Sequence, residues 1–229
     1  KDNGYDVEDY YNIDPRYGTM EDVEELSREA EKRGIRLMFD MVFNHTSDRN
    51  QWFQKALAGD PKYKDFYIFK KGPKPGVPPT NWESKFGGSA WEYVEKFDEY
   101  YLHLFDVSQP DLNWENPEVR KEVQNVIKFW MGKGIKGFRF DVVNLISKDK
   151  YENDYEGDGR RFYTDGPNIH KYLRELNEAT FGTDAEIITV GEMSSTTMEN
   201  CYQYANEDGK ELSMVFSFHH LKVDFMGNE

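Results

Sequence analysis

Four segments of this 229-residue chain run apolar and then end in polar side chains. Their ends are Asp40 with Asn44 and His45, Arg139 with Asp141, Gly191-Glu192, and His219-His220. Two carboxylates brought to one place suit glycoside hydrolysis: one attacks the anomeric carbon and the other protonates the leaving oxygen. Asp141 and Glu192 are the pair that these ends offer. Arg139 stands two residues before Asp141, so on a strand both side chains leave the same face. A cation beside Asp141 would keep it ionised, lowering its pKa by ~1–3 units, as a nucleophile requires. Glu192 has no cation adjacent in sequence, and a less solvated carboxyl holds its proton, as an acid requires. Either acid alone would as readily cap a helix or sit in solvent. Four strand ends with the same character favour a shared site.

The elements that carry these ends alternate. Thr19 and Asp22 form a capping-box pattern ahead of an amphipathic helix over 20–33, with Val23, Leu26 and Ala30 on its apolar side. Gly34 ends it, and the run from Ile35 to Phe43 predicts a strand buried on both faces. Asn116 and Pro117 open a second helix whose apolar face is Val119, Val123, Val126, Ile127 and Trp130. A strand over 135–143 follows, then a helix over 167–181, a strand over 187–190 and a fourth strand over 213–218. Helices alternating with buried strands predict an α/β fold with a parallel sheet. In a parallel (β/α) barrel the C-terminal strand ends meet at one mouth, where active sites lie. Between His45 and Trp114 the alternation fails. Pro/Gly-rich stretches and short alternating runs there predict an inserted α+β subdomain over 46–114, between barrel segments 1–45 and 115–229.

Composition limits the alternatives. Lys and Arg number 29 against 43 Asp and Glu, a net charge of −14, which a nucleic acid would repel. Aromatic residues at 16 % are too many for a disordered chain. No apolar run approaches the ~18 residues of a membrane span. A single cysteine, Cys201, excludes an intramolecular disulfide framework and fits a reducing, cytoplasmic setting. The start at Lys1-Asp2-Asn3, without an initiator Met, suggests a piece of a longer protein.

The motifs themselves resemble a known family. Asp40-Met41-Val42-Phe43-Asn44-His45, Gln109-Pro110-Asp111-Leu112-Asn113, Gly137-Phe138-Arg139-Phe140-Asp141 and Val190-Gly191-Glu192 resemble, in order, four signatures of the α-amylase/α-glucosidase glycoside hydrolases. The resemblance covers essentially the whole chain. It implies a partial TIM-type (β/α)8 barrel, about strands 3–6, with the small B domain inserted. It also implies a retaining mechanism with Asp141 as nucleophile and Glu192 as acid/base. Arg139 would fix the nucleophile and His45 would hydrogen-bond the sugar. Tyr5 would stack under the ring in the −1 subsite, and Asp2 would bind its hydroxyls; Asp40 belongs to the same mouth. The family's third carboxylate, an Asp preceded by His, is expected on a later strand, because His219-His220-Leu221 does not match that motif. A stretch without it, without the remaining strands, is expected to be of uncertain activity alone and to associate with the rest of the barrel. No cofactor is expected, and the calcium loop of many relatives would lie outside this chain.

Finer features narrow the substrate by the same resemblance. Val142 after the nucleophile accompanies 1,6-glucosidases and trehalose-6-phosphate hydrolases rather than maltose-type enzymes. The segment from Gly157 to Pro167, the segment Gly191-Glu192-Met193-Ser194-Ser195-Thr196 and the segment from Phe216 to Asp224 are similar to the trehalose-6-phosphate hydrolases. The expected reaction is hydrolysis of trehalose 6-phosphate to glucose and glucose 6-phosphate. The alternatives are an oligo-1,6-glucosidase and a non-catalytic sugar-binding relative. A sugar phosphate needs a cation in an acidic protein. Lys222 is the first candidate, ahead of Lys85, Arg160 and Arg161.

Overall fold

The structure, a computed structural model, describes residues 2–218. In chain order it contains α1 (Met20–Glu31), β1 (Met38–Met41), α2 (Gln51–Ala58), α3 (Pro61–Lys64), β2 (Phe69–Lys70), β3 (Trp91–Val94) and β4 (Glu99–Leu102). Then follow α4 (Pro117–Gly132), β5 (Gly137–Phe140), α5 (Arg160–Tyr163), α6 (Ile169–Ala179), β6 (Ile188–Met193), α7 (Met198–Tyr204) and β7 (Met214–Ser217). The capping box of α1 forms as its sequence predicts: the Thr19 hydroxyl accepts from the Asp22 N–H and the Asp22 carboxylate from the Thr19 N–H. Asn116 caps α4, Pro117 is its first residue, and the predicted apolar side of that helix is buried.

Four parallel strands pair in the order β1-β5-β6-β7. Side chains alternate between the two faces of this sheet. One face carries Phe39, Met41, Phe138, Phe140 and Met193, which join Val123, Ile127, Trp130, Leu173 and Leu176 of α4 and α6 in the main core. The other face carries Met38, Asp40, Arg139, Ile188, Val190, Glu192, Met214 and Phe216. Met38, Ile188 and Met214 are each 45–46 % exposed. The expectation of strands buried on both faces is therefore corrected for the described residues: among them, helices cover one face only. β1 is also shorter than its apolar run, because Ile35 lies in the turn after α1 and is exposed.

The insertion forms its own antiparallel sheet, in the order β2-β4-β3, preceded by α2 and α3. A second apolar cluster there joins Ile68, Trp82, Trp91, Leu102 and Leu104 to Val142, Leu145 and Tyr163, which follow β5. The insertion thus packs against the segment that carries the first candidate acid. Its return strand also stitches to the end of β1: Leu112 N–H donates to the Asn44 carbonyl and Thr46 N–H to the Pro110 carbonyl.

Candidate active site

Register decides which side chains meet. Arg139 pairs with Asp40 on one side and Val190 on the other, and Phe140 with Gly191. Asp141 and Glu192 follow at the next level of adjacent strands, on the same face as Arg139. Neighbouring strands lie about 4.8 Å apart. That spacing suits the ~5–5.5 Å between the carboxyls of a retaining glycosidase.

Arg139 holds the group together. Its Nη1 donates to Asp40 Oδ1 at 2.7 Å and to Asp141 Oδ1 at 2.8 Å, and its Nη2 pairs with Glu192. The Tyr5 hydroxyl donates to Asp40 Oδ2 at 2.9 Å, and the guanidinium lies 5.7 Å from the Tyr5 ring centre. Phe216 sits at the same distance on β7. Tyr5, Asp40, Arg139, Asp141 and Glu192 therefore form one cluster, from four separate parts of the chain.

Two sequence expectations about charge are corrected here. Arg139 does not keep Asp141 at a low pKa: burial pushes the carboxyl up to about 6, Arg139 opposes that in part, and the nearby Asp40 and Asp2 push it further up. Nor does a cation distinguish the two acids, because the same guanidinium that binds Asp141 also binds Glu192. Sequence adjacency missed this pairing, which crosses from one strand to the next.

His45 is buried, 1 % exposed, and both its ring nitrogens are engaged. The chain of donors defines its tautomer. Lys148 Nζ can only donate, and it reaches Asn44 Oδ1 at 2.7 Å, so Asn44 presents its NH₂ group to His45 Nδ1 at 3.2 Å. Nδ1 therefore accepts, and Nε2 carries the proton and donates to the Tyr5 carbonyl at 3.0 Å. Burial lowers the His45 pKa, which keeps the ring neutral. Through Nε2, His45 holds the backbone of the Tyr5 loop. Gln109 secures the same loop, donating to Asp2 Oδ2 at 2.9 Å and to the Tyr5 carbonyl at 3.2 Å.

Under this loop lies an ion pair that sequence reading did not single out. Lys148 Nζ is 2.8 Å from Asp111 Oδ2, with side chains 2 % and 0 % exposed. Asp111 also accepts from Asn44 Nδ2 and from the Leu104 N–H. Its signal was a lysine closing the otherwise uncharged run Val142 to Ser147, since an interior run seldom ends in an unpaired charge.

The phosphate candidates fare differently. Lys222 lies outside the described residues, as do His219 and His220. Arg160 pairs with Asp158 at 2.7 Å, and Arg161 with Asp154 at 3.0 Å and Glu156 at 3.3 Å, so both are matched by acids of their own loop. Lys85 Nζ lies 5.5 Å from the Tyr163 ring centre. Among the described residues no group of three or more His, Cys, Asp or Glu side chains is placed to hold a metal ion. No helix among them is long and apolar enough to cross a membrane.

Comparison with known proteins adds independent findings. The family model described as "Alpha amylase, catalytic domain" matches residues 1–229. The chain is 59 % identical over 230 residues to a trehalose-6-phosphate hydrolase of Bacillus subtilis (strain 168), and 56 % identical over 229 residues to one of Escherichia coli (strain K12). Each match covers 100 % of this chain and 41 % of the relative. An oligo-1,6-glucosidase of Bacillus cereus is 50 % identical over 230 residues, across 97 % of this chain and 41 % of that protein. The crystal structure of Bacillus licheniformis trehalose-6-phosphate hydrolase superposes with a TM-score of 0.95 at 57 % identity, covering 98 % of this chain and 41 % of that one. The chain thus spans 41 % of the length of these relatives.

Proposed function

Because the chain belongs to the α-amylase catalytic-domain family, with a partial barrel and an inserted antiparallel sheet, we propose that its natural protein is a retaining α-glucoside hydrolase acting on trehalose 6-phosphate. The observation that carries the reading is the placement of Asp141 and Glu192 at one level of adjacent parallel strands, joined by Arg139. The identities of 59 % and 56 % to trehalose-6-phosphate hydrolases support the substrate.

The proposed chemistry needs two carboxyls and water. Ionised Asp141 attacks the anomeric carbon while Glu192 gives its proton to the leaving oxygen, which departs as glucose 6-phosphate. Glu192, now ionised, takes a proton from water, whose oxygen attacks the same carbon; glucose leaves and Asp141 is restored. The ion pair of Glu192 with Arg139 fits the ionised form that exists between these steps. The division of roles follows the family motif rather than local charge, since Arg139 serves both acids. Tyr5 and Asp40 present an aromatic face and an acceptor to the sugar, and Asp2 stands beside them. No cofactor enters the proposal. Cys201, a buried free thiol, fits the cytoplasmic setting that a phosphorylated substrate also suggests.

The test is turnover by the natural full-length chain. Trehalose 6-phosphate should exceed isomaltose in kcat/KM, the first-formed glucose should be the α-anomer, and a trapped glucosyl group should map to Asp141. Lys222→Ala should raise KM for trehalose 6-phosphate far more than for an unphosphorylated aryl glucoside. Preference for isomaltose would favour the oligo-1,6-glucosidase reading, which the 50 % identity to such an enzyme keeps as the second choice. No turnover of any glucoside would favour a sugar-binding role.

A further inference from the structure

On the β7 side the ladder runs on through Glu192 and Met193; on the β5 side the Arg139 cluster leaves open what fixes Glu192. The last paired residues of the β5–β6 ladder are Phe140 and Gly191. Past it, the chain after Asp141 turns sharply. Val142 takes φ +37° and ψ 43°, a left-handed conformation that a β-branched residue seldom adopts. Ser195, three residues after Glu192, takes φ +52°. Such residues persist where the surroundings over-determine them.

Asn144 joins the two turns. It is fully buried, three residues past Asp141. Its Oδ1 accepts from the Ser194 N–H at 2.8 Å and its Nδ2 donates to the Ser194 carbonyl at 2.7 Å. One side-chain amide thus pairs with both backbone groups of a residue two positions past Glu192, as another strand would. Asp165 braces this amide. Its N–H donates to the Asn144 carbonyl at 2.9 Å, and its carboxylate accepts from Asn144 Nδ2 at 3.2 Å. The same carboxylate accepts from Thr196 Oγ1 at 2.5 Å, from Asn200 Nδ2 at 2.9 Å and from the Tyr204 hydroxyl. Asp165 itself sits at φ +50°, held by these donors. One carboxylate therefore ties together the loop after β5, the loop after β6 and α7.

We infer that Asn144, braced by Asp165, is a positioning residue that sets Glu192 at its working distance from Asp141. The inference rests on the proposed glycosidase reading. It concerns the acid/base specifically: the clamp grips the β6 side through Ser194, while Asp141 is also anchored by its own N–H to the Met41 carbonyl. Loosening the clamp should cost proton donation more than nucleophilic attack.

The experiment compares leaving groups in the natural full-length chain. Trehalose 6-phosphate needs its leaving oxygen protonated, whereas 2,4-dinitrophenyl α-glucoside does not. Asn144→Ala should lower kcat/KM for trehalose 6-phosphate by ~100-fold, the usual cost of a catalytic group misplaced by about 1 Å. The aryl glucoside should lose less than about 5-fold, since acid assistance contributes little to it. A purely structural role would lower both equally, and that result overturns the inference. Should Asn144→Ala fail to fold, Asn200→Ala removes one donor from Asp165 and should shift the ratio of the two substrates in the same direction; an unchanged ratio overturns it. A wild-type chain inactive on both glucosides overturns the proposed function and this inference together.

Discussion

Arg139 donates to Asp141 across 2.8 Å, yet burial pushes the Asp141 carboxyl up to about 6. The cause is competition. Burial and the charges of Asp40 and Asp2 outweigh one cation that is itself divided among three carboxylates. As the proposed nucleophile, Asp141 becomes ionised only toward neutral pH, so the acid limb of kcat/KM should fall near pH 6. Asp40→Asn removes a like charge and frees a donor of Arg139, and both effects should lower that limb, by roughly half a pH unit. A pH–rate profile of the variant checks this; an unmoved or raised limb refutes it.

The same raised value has a consequence for stability. A carboxyl pushed up to about 6 in the folded chain, from an ordinary 3.8, prefers its protonated form when folded. Ionising it therefore costs stability: nothing below about pH 4, increasingly between pH 4 and 6, and in full above pH 6. Asp141→Asn keeps an acceptor for Arg139 and removes the charge. It should stabilise the fold by ~1–3 kcal/mol at pH 7.5 and by much less at pH 4. Thermal melts at the two pH values measure the difference, and an equal effect at both would contradict it.

Lys148 and Asp111 are the other buried charges that matter. Removing one partner leaves the other uncompensated, so Lys148→Met should cost ~3–5 kcal/mol. Combining it with Asp111→Asn, which keeps an acceptor for the Leu104 N–H, should recover much of that loss. Chemical denaturation of the two variants gives the comparison; an additive double variant would show that the pair does not act as a unit.

Gly159 lies where the loop after β5 crosses Trp82. Its φ is +96°, and a Cβ there would come 2.4 Å from Trp82 Cγ. Trp82 cannot retreat, since it is stacked on Phe162 and Tyr151 and its Nε1 donates to the Glu152 carbonyl. Gly159→Ala should destabilise by ~2–4 kcal/mol, from overpacking joined to an unfavourable backbone. A loss under ~0.5 kcal/mol in denaturant titration would show that the loop relaxes.

Much of this was readable in the residues alone. Local capping at Thr19 and Asn116, the stops at Gly34 and Gly134 and the apolar runs determined the order of helices and strands, because those signals act over a few residues. The polar residues after Phe140 and Gly191 marked the candidate acids for the same reason. The interval from His45 to Trp114 announced an insertion, though not that it would pack on Val142 and Leu145.

What tertiary structure alone decided is which charges share a space. Sequence adjacency paired Arg139 with Asp141 only, whereas strand register also gave it Asp40 and Glu192, residues 99 and 53 positions away. Burial then reversed the sign of the shift expected at Asp141. The tautomer of His45 depends on Lys148 through Asn44, and the hold on the Ser194 backbone, two residues past Glu192, depends on Asn144. These are contacts between side chains brought together by the parallel sheet, and no local periodicity records them. The sequence by itself determined the elements and the candidate acids; the fold decided their electrostatic environment, because desolvation and Coulomb interaction depend on distance in space rather than along the chain.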